Sequence, residues 1–277
     1  MIFVDWSKLK VRLISAAILI ALLLLVTFAP PWVFTIALCA VCLVVLHEIM
    51  VTFKQETKRG AKVIDYVFAI LYMATAFLKQ ADIGQFTYMI TVLFVMALLI
   101  FSVINHKEIN FGDVCASLFL VLYSVMFLMP LSIMRHQENG LALVFLAFIG
   151  AWLPDTAAYF AGCLFGKRKL IPEISPNKTV AGAIGAVVGS IVAFMIYGAI
   201  LSAAGLAVSF VRLFVLSLIC GIVAQFGDLS ASMMKRAYKA KDFGSLIPGH
   251  GGLLDRVDSL IFVTPAVYYF ITYFPVI

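Results

Sequence analysis

The chain has 277 residues, 64% of them apolar (A, V, I, L, M, F, W, Y or C) and only 12% charged, with a mean hydropathy of +1.10. Soluble domains are nearer half apolar and a quarter charged, so a water-soluble enzyme, a disordered chain and a fibrous repeat are all excluded. A polytopic membrane protein remains, in which the net charge of +6 belongs to the loops and a nucleic-acid partner has no support.

A bilayer core asks for about 20 apolar residues per helix. That window gives spans over residues 11 to 30, 31 to 52, 64 to 79, 86 to 104, 111 to 134, 141 to 163, 180 to 203, 209 to 227 and 258 to 276. The runs are long and lack strand alternation, which excludes a barrel. The third is short and carries Asp65, so dropping it would leave eight. Placing the N-terminal end, with Lys8, Lys10 and Arg12, in the cytoplasm puts every Lys and Arg except Lys79, Arg135 and Arg212 on the inside. Without the third span that bias is lost, so nine is the expectation. The first run has the basic flank of a signal peptide but no small-x-small cleavage site, and reads as a retained anchor. Five cysteines lie in apolar spans, Cys39 and Cys42 forming a lone CxxC without a nearby His or carboxylate, and they read as packing. The expected fold class is therefore all-α, a polytopic integral membrane protein of about nine transmembrane helices with a cytoplasmic N-terminus. Residues 1 to 140 read as scaffold helices and 141 to 277 as the part that carries chemistry.

Polar residues collect in two inside loops, 164 to 178 and 228 to 257. Asp228 ends the eighth span, and on a helix continuing outward Ser232, Lys235 and Arg236 fall at i+4, i+7 and i+8, on one face. Lys241 and Asp242 lead to Pro248-Gly249-His250-Gly251-Gly252, whose glycines let the backbone approach an anion and aim N–H groups at it. Asp255 and Asp258 follow, three apart, with Arg256 on another side. Carboxylates beside a glycine turn and several cations meet the needs of a metal–phosphate site. Mg²⁺ takes one or two carboxylates plus water and phosphate oxygens, while Lys and Arg neutralise the remaining charge. Lys239 reads as solvated.

The sixth span holds Pro154 and Asp155 well inside its length. An ionisable group there is a functional hypothesis by default; the alternative is an Asp capping a helix broken at Pro154. Tyr159, at i+4 from Asp155, would line the same cavity. Lys178 and Thr179 open the seventh span, where a helix N-terminus can meet a phosphate. His47 and Glu48 close the second span and read as an interfacial, snorkelling pair.

The run Ser232-x-Met234-Lys235-Arg236, Lys241-Asp242-x-Gly244, Ile247-Pro248-x-His250-Gly251-Gly252-Leu253-x-Asp255-Arg256-Val257-Asp258, with its fixed gaps, resembles the motif of the phosphatidate cytidylyltransferase (CDP-diacylglycerol synthase) family without departure. Asp155-Thr156-x-x-Tyr159 and Ser175-Pro176-x-Lys178-Thr179 also resemble segments of that family, so the resemblance covers roughly the C-terminal half. Ala181 departs from it, standing before Gly182 where the family usually has Glu or Gln.

The resemblance implies that phosphatidic acid and CTP give CDP-diacylglycerol and pyrophosphate, on the cytoplasmic face of the cell membrane, in a homodimer, with Mg²⁺ as one ion or two. It implies catalytic roles for Asp228, Asp255, Lys241 and Arg256, and metal ligation by Asp228, Asp255 and Asp258. Substrate contacts fall to Ser232, Lys235, Arg236, Lys178, Thr179, His250, Gly251, Gly252, Asp155 and Tyr159. Two rival readings are a transporter with an ion path at Asp155 and a CTP-dependent lipid kinase. The charges of the long inside loop cluster at the surface, which argues against the first; the second would release CDP in place of pyrophosphate.

Overall fold

The computed structural model describes residues 6–54, 59–78 and 80–277, without the side chains of 6–10, 59, 80 and 81. Lys58 and Lys79, and the side chains of Lys8, Lys10 and Arg59, all used in the charge reading, lie outside the described residues. The chain is built of helices α1 (Trp6–Phe28), α2 (Pro31–Thr52), α3 (Arg59–Ala74), α4 (Gln80–Ile104), α5 (Phe111–Val121), α6 (Met129–Arg135), α7 (Gly140–Phe165), α8 (Val180–Ala203), α9 (Phe210–Ala237) and α10 (Leu254–Tyr273). One hairpin of β1 (Lys169–Ile171) and β2 (Ser175–Thr179) interrupts the helices where a plain loop was expected.

Among the described residues, eight helical segments are long and apolar enough to cross a membrane. The third expected span is among them, over Gly60–Phe77, despite Asp65. The fifth, Phe111–Arg135, is composite: α5 passes through a π-helical turn at Leu122–Met126 into α6. The expected ninth span corresponds to α10, which is helical but is not one of the eight. Its first turns carry Asp255, Arg256, Asp258 and Ser259, and its last carry Tyr268, Tyr269 and Tyr273. The sixth span is not broken at Pro154: α7 runs through the proline.

The chain divides into two compact units. The first comprises residues up to Ile133 together with Ala240–Arg256, so the glycine-rich segment clusters with the N-terminal helices. Local chemistry sets its helix ends. Pro31 supplies the fixed φ of a first helical turn in α2, and Asn110 and Asp113 form a reciprocal capping box at α5. The core holds Leu46, Ile49, Met50, Tyr72, Phe94, Leu98, Leu120, Leu128 and Leu131. Buried hydroxyls pair between helices, Thr35 with Ser132 and Tyr72 with Thr91, both at 2.5 Å, as polar groups in lipid surroundings must. Along α1, Leu13, Ile14, Ile18 and Leu25 stay exposed, an apolar surface of the kind that marks contact with a membrane or a partner.

The second unit comprises Met134–Lys239 and Val257–Ile277. Its α7 and α8 meet backbone to backbone: a Cβ at Gly185 or Gly189 would overlap the Cβ of Ala161 or Ala157. This small-xxx-small spacing on both helices is a close-approach device of membrane helices. Polar bonds then tie α8 to α9, from Ser190 Oγ to Ser217 O at 2.7 Å and from Gln225 Nε2 to Ala183 O at 3.2 Å. Replacing Gly189 by Ala is expected to cost about 1–3 kcal/mol through overpacking, read as a lowered unfolding midpoint in detergent. An unchanged midpoint would contradict the close contact.

Candidate active site

In the second unit, α9 continues past its apolar stretch to Ala237, so Asp228, Ser232, Lys235 and Arg236 do share one helix. Lys178 Nζ, arriving from the end of β2, forms an ion pair with Asp228 Oδ2 at 2.5 Å. The ammonium is buried and, among the described residues, makes no hydrogen bond besides that pairing. Thr179, expected to meet a phosphate, instead caps α8: its Oγ1 accepts from Gly182 N at 3.0 Å, and the residue is 8% exposed. Capping fixes the register of the residue before it, Lys178.

Asp258 enters from α10. A Cβ at Gly227 would lie 2.7 Å from Asp258 O, so the α10 backbone rests directly on α9 one residue before Asp228. Ser259 joins two acids, its Oγ donating to Asp155 Oδ2 at 2.9 Å and its N–H donating to Asp258 Oδ1 at 2.7 Å. Asp258 is within electrostatic reach of Asp228, Asp155 and Lys235, and Asp155 of Asp228 and Lys178. Three carboxylates therefore face two ammonium groups in surroundings where Ser259 is 1% and Asp258 9% exposed. Tyr159 does not join them. It is 67% exposed and packs edge-on to Phe160; i+4 keeps it on the stripe of Asp155, but one turn further along α7 that stripe is uncovered.

In the first unit, the turn at Pro248–Gly252 is closed by bonds from Ile247 N to Gly251 O and from His250 N to Ile247 O, both 2.9 Å, with Gly249 at φ +77° and Gly251 at φ +85°. These left-handed values need glycine. The expected amide cradle for an outside anion has its own anions instead. Asp255 Oδ2 accepts from Phe243 N and Gly252 N, both at 3.0 Å. Glu48 Oε1 accepts from Leu253 N at 2.9 Å and Oε2 from Leu254 N at 2.8 Å. Arg256 donates to His250 O at 2.9 Å, and His250 Nδ1 pairs with Ser15 Oγ at 3.0 Å. Lys241 is exposed.

Glu48 corrects the sequence reading. It is 6% exposed and is no snorkelling partner of His47, whose imidazole pairs with Tyr66 OH. The available signal was an acid as the one formal charge in α2. Its partners lie some two hundred positions away, out of reach of local pattern. Ser259 was missed as well, although it adjoins Asp258. Of the three expected metal ligands, Asp228 and Asp258 belong to one unit, and Asp255 Oδ2 accepts backbone amides in the other.

A profile described as the Cytidylyltransferase family matches residues 10–274. The phosphatidate cytidylyltransferase of Bacillus subtilis (strain 168) is 38% identical over 181 residues, 65% of this chain and 66% of that protein. That of Brucella suis biovar 1 (strain 1330) is 32% identical over 266 residues, 95% of this chain and 93% of that protein. The Staphylococcus saprophyticus phosphatidate cytidylyltransferase is 36% identical over 168 residues, 61% of this chain and 63% of that protein.

A part-exposed ion pair such as Lys178–Asp228 is worth about 0.2–1 kcal/mol. A double-mutant cycle of Lys178→Met and Asp228→Asn, followed by unfolding in detergent, is expected to return a coupling energy of that size. A cycle that closes at zero would show that the two side chains do not interact.

Proposed function

The chain belongs to the cytidylyltransferase family, and we infer that it transfers CMP from CTP to phosphatidic acid, giving CDP-diacylglycerol and pyrophosphate. The observation that carries this reading is the convergence of Asp155, Asp228 and Asp258 with Lys178 and Lys235 in one unit. A phosphate oxygen of phosphatidic acid attacks the α-phosphorus of CTP. The bond from that phosphorus to the bridging oxygen breaks, and its electron pair leaves with pyrophosphate.

The attacking phosphate monoester is largely dianionic at neutral pH, so no protein base has to remove a proton. The barrier is repulsion between two polyanions, and catalysis is charge neutralisation with in-line positioning. Lys178 suits this work because its buried ammonium has donors that no described residue accepts. Lys235 and Arg236 extend the positive face of α9, and Ser232 donates its hydroxyl to a phosphate oxygen. In the first unit Lys241 and Arg256 are assigned to phosphate contacts, with His250, Gly251 and Gly252 forming the turn beside them. Tyr159, exposed on α7, is assigned to lipid contact, and Thr179 to anchoring Lys178.

The donor set fits Mg²⁺. Among the described residues no three of His, Cys, Asp and Glu form a closed cage, and a magnesium ion that works with phosphates takes only one or two protein carboxylates. Asp228 and Asp258 would hold it. Bound there, Mg²⁺ supplies neutralisation of the triphosphate and of the leaving pyrophosphate. Asp155 is held to one side by Ser259, and Asp255 positions the turn. The bias of Lys and Arg supports a reaction on the cytoplasmic face of the cell membrane, and a homodimer is the assembly we assign.

Purified protein given phosphatidic acid, CTP and Mg²⁺ is expected to yield a cytidine-bearing lipid and pyrophosphate together; release of CDP would make it a kinase. Asp228→Asn is expected to lower turnover about 100-fold or more with the fold intact, and near-normal rates would refute the assignment. Chelation with EDTA should abolish turnover and added Mg²⁺ restore it, whereas activity that survives chelation would remove the metal from the reading.

A further inference from the structure

Glu48 reaches the glycine-rich segment from the last turn of α2, and everything around its carboxylate is shaped to admit it. Both oxygens accept backbone N–H groups, Leu253 to Oε1 and Leu254 to Oε2, at the N-terminus of α10, where a helix dipole favours negative charge. A Cβ at Gly244 would lie 2.7 Å from Oε1, and one at Gly252 would lie 2.7 Å from Oε2. The two glycines thus form the walls of a slot that a carboxylate fills. One turn further along α2, Thr52 Oγ1 donates to Phe243 O at 3.3 Å, so the same helix end grips the segment at both of its ends. Asp255 closes the loop from within, through Phe243 N and Gly252 N.

We propose that Glu48 is a positioning residue of the cytidylyl-transfer reaction: its carboxylate holds the segment from Phe243 to Leu254 in the one conformation that presents His250, Asp255 and Arg256. This rests on the reading above, in which Arg256 contacts phosphate and His250 and Asp255 shape the turn beside it. Glu48 touches no substrate; it acts through the backbone it holds. Glutamine in its place keeps the shape but turns a donor toward an N–H group, so one bond is lost and two donors face each other. Aspartate keeps the charge but is one methylene too short to reach both amides.

The test uses full-length protein in detergent or nanodiscs. In the wild type, hydrogen exchange is expected to show the Leu253 and Leu254 amides protected. In Glu48→Gln, with helix content and unfolding midpoint retained, exchange over 243–254 should rise, and kcat/KM for CTP should fall on the order of 10- to 100-fold. The KM for phosphatidic acid should stay unchanged, a split that general loss of stability would not produce. Glu48→Asp should recover part of the loss. Gly244→Ala, which keeps the charge but drives a methyl group against Oε1, should reproduce the glutamine effect and decides the matter if Glu48→Gln fails to fold. Unprotected wild-type amides, or a folded variant within about twofold of wild type, would overturn the proposal. Failure of the underlying reading would look different, as a wild-type protein that makes no cytidine-bearing lipid.

Discussion

A carboxylate in apolar surroundings must be paired or hydrogen-bonded, and the penalty for leaving it alone runs to several kcal/mol. In a chain with 14 acids and 64% apolar residues, that requirement decides which segments lie together. Glu48 collects two backbone amides, Asp255 two more, Asp113 the N-terminus of α5, Asp155 a serine hydroxyl and Asp228 an ammonium. Each contact ties a helix to a segment distant in sequence, or closes a turn that apolar packing would leave loose. Asp65 shows the constraint from the other side: it is 1% exposed, rests against Ser117, and its Oδ1 has no partner among the described residues.

Packing supplies what the polar contacts need, which is backbone proximity. Short carboxylates and hydroxyls reach one another only when helix axes come close, and side chains larger than Ala prevent that. Gly185 and Gly189 bring α8 onto α7, and Gly227 brings α10 onto α9. Asp155, Asp228 and Asp258 each lie on one of the helices so joined. The distance between the acids is thus set by glycines and alanines that carry no chemistry themselves.

Sequence made the membrane class, most spans and the identities of the charged residues legible, because those depend on composition and local period. Pro154 shows a limit of local reading: the rule that proline ends a helix lost to tertiary packing, and α7 continues through it. Thr179 shows another, since an oxygen at a helix start serves a cap as readily as a phosphate, and here Gly182 N takes it. Tyr159 shares the stripe of Asp155, but it lies one turn further along α7 where it is 67% exposed, and spacing alone does not say how far along a helix its neighbours reach. Glu48 was invisible as a partner of Leu253 and Leu254 because nothing within a window of α2 encodes a contact some two hundred residues on.

The glycine turn has the most to say about how such motifs are read. Glycines that free backbone N–H groups are ordinarily taken as a cradle for phosphate. Here the amides of Phe243, Gly252, Leu253 and Leu254 face two carboxylates of the protein itself. A turn already facing two negative charges repels a third anion more than it attracts one, so its amides are poorly suited to grip a triphosphate. What the carboxylates provide is rigidity: glycine loses more conformational freedom on folding than any other residue, and four charge-assisted bonds hold the segment against that cost. The phosphate-facing charge must then come from side chains that the stiffened turn presents, Lys241 before it and Arg256 after it. On that account the glycines are there to let acids in, and the cations carry the affinity.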